Sequence, residues 1–148
     1  MYSPVSDFAF KLLNQQAAGL MKLGIEILLV SLGGAIGAAM RFGISRAADI
    51  YLKSGTFPFG TLIANVLGCF LIGLLVGSGL GEKSESFRLW FGVGMLGALT
   101  TFSTFGAETI KCASENQWAA AIGNIAANLV VGLAAVLAGI SIAKRFLS

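Results

Sequence analysis

Three stretches of this chain carry no formal charge over lengths that can cross a lipid bilayer. They are residues 57–80 (FPFGTLIANVLGCFLIGLLVGSGL), 89–107 (LWFGVGMLGALTTFSTFGA) and 116–143. A crossing needs about 20 mainly apolar residues, so each run is long enough, or nearly so, to span. A fourth run, ILLVSLGGAIGAAM at 27–40, is short alone, but Glu26 and Arg41 can extend their long side chains toward the interface. The pattern predicts an all-α membrane protein with four transmembrane helices, at about residues 24–46, 57–80, 87–112 and 117–143. Composition agrees. Only 11% of the residues are charged, against about 25% in a typical globular domain. The net charge of +3 is too small and scattered to suggest a nucleic-acid partner and suits anionic lipid headgroups better. There is no histidine, and Cys69 and Cys112 show no metal-ligand spacing, so both read as packing residues.

Residues 1–23 form an N-terminal extension to a four-helix transmembrane domain at 24–148. They lack the basic start and apolar core of a secretory signal. Phe8, Leu12, Leu13, Ala17 and Leu20 fall near helical spacing, which suggests an amphipathic helix lying on the membrane. An equal alternative is that translation starts at Met21. The connectors 47–58, 81–88 and 111–117 are short, so any function lies within the helices. Pro58 can open the second helix in its first turn. With four crossings, Lys11, Lys22, Lys83, Arg88, Lys144 and Arg145 share one side. Arg46, Lys53 and Lys111 lie on the other, with Arg41 partway into a helix. That asymmetry is slight by the positive-inside rule. Both insertion in two orientations, giving an antiparallel dimer, and a single fixed orientation with the N-terminus inside remain open.

Polar groups at membrane depth carry the functional signal. Asn65 lies mid-span with Thr61 one turn earlier, and Asn124 and Asn128 repeat that spacing on the fourth span. A carboxamide in hydrocarbon must find partners, which means interhelical bonding or a polar path. The stretch GMLGALTTFSTF (94–105) crowds hydroxyls and glycines together, with Phe102 and Phe105 on one face. Gly94, Gly97, the hydroxyl run and Gly106 weaken a helix here, and a break would free carbonyls to line a cavity or bind an ion. Most of the other glycines, as in GGAIGAA, serve close helix packing.

Three motifs in order resemble the Fluc (CrcB) family of fluoride channels: GGAIGAAMRF (33–42), FPFGTLIANVLGCFLIG (57–73) and GALTTFSTF (97–105). The resemblance covers nearly the whole chain after residue 30. It implies a bacterial inner-membrane, multi-pass protein: a dual-topology homodimer with the third helix broken mid-membrane and two antiparallel pores. It implies that fluoride is the transported ion and that the channel confers fluoride resistance, with no enzymatic activity. By position, the backbone carbonyls of Gly97 and Thr100 would hold one structural sodium ion (Na+) at the dimer interface. Phe102 and Phe105 would turn ring edges to the anion. Asn65 would offer amide hydrogens, and Thr61 and Ser103 hydroxyl hydrogens. Arg41 would concentrate anions in a vestibule, Asn124 and Asn128 would continue a polar track, and Glu108 would sit near a pore end. Ala98 and Gly106 depart from the family's frequent glycine and serine, and the fourth-span asparagines replace the tyrosine and serine of some relatives. Two rival readings stand beside this one. A small multidrug antiporter needs a membrane-embedded carboxylate, for which Glu26 is the first-span candidate. A non-transporting scaffold would use the motifs for packing alone.

Overall fold

The computed structural model describes residues 4–52 and 56–147, with side chains described from residue 10 onward except Leu12. The side chains of Phe8 and Leu12, and the whole of Lys53, therefore lie outside the described residues. Among the described residues, four segments are long and apolar enough to cross a membrane: Leu13–Leu52, Phe59–Ser78, Glu85–Ser114 and Trp118–Phe146. The first belongs to one unbroken helix, Pro4–Leu52, of 49 residues. At 1.5 Å per residue it is about 73 Å long, more than twice the about 30 Å hydrocarbon core. It has no boundary at residue 23, and it runs six residues past the expected end at 46.

The second helix, Phe59–Ser78, starts one residue later than Pro58. Proline here caps the helix, and its carbonyl accepts from Leu62 N–H at 3.2 Å. Gly79 ends the helix with φ 65°, a left-handed conformation that glycine adopts without strain, and its N–H returns to the Val76 carbonyl. The turn that follows is partly helical, with short pieces at Leu80–Lys83 and Glu85–Phe87. Ser84 separates them, and its hydroxyl oxygen accepts from Phe87 N–H at 3.2 Å. Lys22 of the first helix reaches Glu85 of this turn at 3.3 Å and Glu26 at 3.5 Å. The start of the first crossing and the 81–88 turn thus lie at the same end, as the charge count assumed.

The third crossing has three parts: a π-helical segment Arg88–Leu96, one α turn Gly97–Leu99, and an α-helix Phe102–Ser114. Asn116 (φ 58°) turns the chain into the fourth helix, Trp118–Phe146. Asparagine is one of the few side chains that tolerates this region.

Glycine lets the backbones touch in two places. A Cβ on Gly37 would lie 2.0 Å from the Met95 carbonyl oxygen, and one on Gly33 would lie 2.0 Å from that of Trp90. The second and fourth helices meet in the same way, with Gly73 against the Val136 carbonyl and Gly139 against that of Phe70. Small residues at a crossing allow this approach, and packing rather than water exclusion drives association in lipid. The buried centre is Ala64, Met95, Leu96 and Leu99, with Met40, Ile44, Leu67 and Phe91 packed against it. Leu28, Leu129, Val130 and Leu133 point outward and are exposed, as an apolar solvent permits.

Candidate functional site

The break in the third crossing falls on two threonines. Thr100 (φ −83°, ψ 153°) and Thr101 (φ −148°, ψ 115°) are extended. Gly97 keeps helical angles (φ −62°, ψ −33°), and Gly94 and Gly106 lie inside helical segments. Glycine freedom therefore does not make the break. Branching at Cβ favours the extended conformation, and the Thr101 hydroxyl caps the helix that follows. Its oxygen accepts from Thr104 N–H at 3.2 Å, while its proton goes to Thr104 Oγ1 at 3.0 Å. Ser103 Oγ lies 3.2 Å from the same hydroxyl. The Thr100 hydroxyl turns back to the Leu96 carbonyl at 3.1 Å.

Asn65 holds the break from the second helix. Thr101 N–H donates to Asn65 Oδ1 at 2.8 Å, and Asn65 Nδ2 donates to the Thr101 carbonyl at 3.3 Å and to Asn128 Oδ1 at 2.9 Å. Asn128 Nδ2 donates to Asn124 Oδ1 at 2.9 Å and to the Asn124 carbonyl at 3.0 Å. Asn124 Nδ2 donates to Thr109 Oγ1 at 2.8 Å, and the Thr109 hydroxyl donates to the Phe105 carbonyl at 2.7 Å. The three asparagines expected from the sequence are thus one network.

This network changes what the carbonyls of the break can do. In a continuous helix Thr101 N–H would bond the Gly97 carbonyl, and Thr104 N–H that of Thr100. Both donors are used elsewhere, on Asn65 and on the Thr101 hydroxyl. Gly97 and Thr100 therefore present carbonyl oxygens without their helical partners, and Gly97 is exposed on the subunit surface.

Three hollows adjoin this region. One of about 430 Å³ is lined by Asn65, Gly97, Thr100, Phe102, Phe105 and Asn128, among others. The two rings are tilted by 51° with centroids 5.5 Å apart, and Phe102 is 83% exposed. A smaller one, about 240 Å³, is lined by Arg41, Phe42, Ser45, Thr61, Thr101 and Thr104. The third, about 550 Å³, holds Asp49, Thr61, Glu108, Lys111 and Glu115 near the connector at Thr56–Gly60. Thr101 lines the first two and Thr61 the last two, so the three follow one another along the subunit.

Of the sequence-predicted residues, Asn65, Phe102, Phe105 and Asn128 share one hollow, Arg41 and Thr61 the next, and Thr61 and Glu108 the last. Glu108 Oε2 is buried there without a hydrogen-bond partner. Ser103 is exposed beside Thr101, and Asn124, 0% exposed, lines none of the three hollows. The antiporter candidate Glu26 pairs with Lys22 near the 81–88 turn, away from the middle of the span. Both cysteines are free thiols. Sequence reasoning missed Thr101, Thr104 and Thr109 as individuals. Thr101 and Thr109 stand four residues either side of Phe105, a helical spacing that was the available signal.

A broken third crossing, a clamping asparagine and a paired phenylalanine on one four-helix subunit agree with comparison to known proteins. The family description "CrcB-like protein, Camphor Resistance (CrcB)" matches residues 28–140, a range that contains the break and every residue lining the three hollows. The chain belongs to the CrcB family. A "Fluoride-specific ion channel FluC" of Dehalococcoides mccartyi is 42% identical over 116 residues, 77% of this chain and 88% of the relative. One of the same name from Shewanella oneidensis is 46% identical over 115 residues, 77% of this chain and 92% of its own. The CrcB-family chain is a multi-pass membrane protein, and its named relatives are ion channels rather than enzymes.

Proposed function

We propose that this chain forms a fluoride-selective channel through which cytoplasmic fluoride leaves the cell passively, giving fluoride resistance. The working unit is an antiparallel homodimer in the cell membrane, with two pores and one structural sodium ion. The observation that carries this reading is the break at Thr100–Thr101 in a chain of this family, with Phe102 and Phe105 beside it.

The physical case runs from the anion to the residues. Fluoride is the base of a weak acid, so neutral HF crosses lipid and ionises in a near-neutral cytoplasm. The trapped anion is then pushed outward by an inside-negative potential worth about 2.3 kcal/mol per charge per 100 mV. A passive hole therefore suffices if it excludes chloride. Exclusion requires a narrow, dehydrating path lined by hydrogen donors and ring edges, the positive rims of the aromatic quadrupole. The hollow holding Arg41, Thr61, Thr101 and Thr104 gathers the anion, and the Phe102–Phe105 pair takes it through the narrow part. Ser103 supplies a hydroxyl there, Asn65 and Asn128 form the polar wall, Asn124 stands behind that wall, and Glu108 lies toward a pore end.

The Gly97 and Thr100 carbonyls fit a sodium ion, because hard cations take oxygen ligands and these two have lost their helical donors. Bound there, sodium supplies positive charge that balances carbonyl oxygens otherwise unpaired at membrane depth. Exposure of Gly97 and Phe102 on the subunit surface supports completion of the site by a second copy.

The test is efflux from liposomes holding purified protein. Fluoride should leave at a rate proportional to protein while chloride stays. A folded, dimeric preparation that passes no fluoride, or moves drug against protons instead, overturns the reading.

A further inference from the structure

We propose that Asn124 and Thr109, both away from the hollows, are positioning residues that fix the shape of the break through Asn128 and Asn65. The inference rests on the channel reading above and assigns a role to Asn124, the one large polar side chain fully buried among the described residues, at 0% exposure. The argument starts from a group with no choice. A backbone N–H can only donate, so Thr101 N–H forces Asn65 to present its oxygen. The Asn65 amide nitrogen must then face Asn128, which answers with its own oxygen and turns its nitrogen to Asn124. Asn124 repeats the step toward Thr109, whose hydroxyl accepts and passes its proton to the Phe105 carbonyl. Reversing Asn65 or Asn128 would set donor against donor and acceptor against acceptor at its two ends, and reversing Asn124 would set its nitrogen against that of Asn128. The ladder therefore has one direction, and it closes on the turn that carries Phe105.

A consequence separates orienting groups from ion-contacting ones. Both amide hydrogens of Asn65 go to Thr101 and Asn128, and both of Asn128 go to Asn124. The anion then meets hydroxyls and ring edges, while the amides hold those groups in place. One ladder ties Thr101, at the break, to the Phe105 carbonyl one turn on, so loss of either end lets the Phe102–Phe105 pair drift relative to the clamped backbone.

The experiment compares Thr109→Val, which keeps the shape and removes the hydroxyl, with Thr109→Ser, which keeps the hydroxyl. Two readouts are taken on full-length protein in liposomes: fluoride efflux, and amide hydrogen exchange across residues 97–106. The Val variant should elute as wild type does, lose at least about fivefold in efflux and exchange faster at the break, with Ser restoring both. Wild-type exchange in the Val variant, or a Ser variant that behaves like Val, overturns the ladder. If the wild-type protein itself passes no fluoride, the channel reading falls and the exchange comparison still decides the ladder.

Discussion

The two halves of the third crossing are held by opposite means. Before the break, Arg88–Leu99 lies against the first helix backbone to backbone, through Gly33, Gly37 and Gly94. After it, Phe102–Ser114 is tied to the fourth helix by a hydrogen bond from Asn124 to Thr109 at membrane depth. The first half gains van der Waals contact and tolerates no added atom where Gly33, Gly37 and Gly94 meet the facing backbone. The second gains direction, because each amide bond fixes which end of a side chain faces its neighbour. A first half that passes from π-helix into one α turn and a capped second half meet at Thr100–Thr101. A break between two differently anchored halves can hold its carbonyls at a defined point, which a flexible kink cannot.

The largest expected effect is in the first half. Gly37→Leu would drive a side chain into the Met95 carbonyl, and a Cβ alone would lie 3.0 Å from Leu99 N. Overpacking of this kind costs about 3 kcal/mol or more. The variant should aggregate on size-exclusion chromatography, whereas Gly97→Ala, which points into open space, should elute normally. A monodisperse Gly37→Leu protein would show that the close approach is not what holds this half.

Next comes the second half. Phe102→Ile or Phe105→Ile should leave the elution profile unchanged and slow fluoride efflux about tenfold, the equivalent of one ring-edge contact of about 1.4 kcal/mol. Wild-type flux in both variants would remove the aromatic pair from the pathway. The smallest effect belongs to the ion pair at the membrane edge. Lys22 and Glu85 are 66% and 56% exposed, and such pairs are screened by salt. Lys22→Ala should change neither efflux nor the melting midpoint in 0.15 M salt; a clear fall in either would mean that this contact steers the third crossing.

Much of the site was legible because membrane depth makes polar residues expensive. Asn65, Asn124, Asn128 and the hydroxyl run stood out in uncharged stretches, and their helical spacing gave the shared faces. The position of the break was not legible. Glycine propensity pointed to Gly94, Gly97 and Gly106, yet Gly37, Gly33 and Gly94 are spent on close approach and the chain opens at two β-branched residues. The unbroken first helix through residue 23 and on to Leu52 was also hidden, since the apolar run itself spans only 27–40 and its expected ends were set near the flanking charges Glu26 and Arg41.

Taken alone, the order of residues determined how many times the chain crosses lipid, which polar groups had to find partners there, and which family motifs it carries. Those are consequences of composition and spacing along one dimension, where the cost of burying a charge or an amide does not depend on the neighbour. Only the packed molecule decided which donor meets which acceptor. That Thr101 N–H leaves Gly97 for Asn65, and that Asn124 closes the chain on Thr109, depends on residues far apart in sequence arriving within 3 Å of each other.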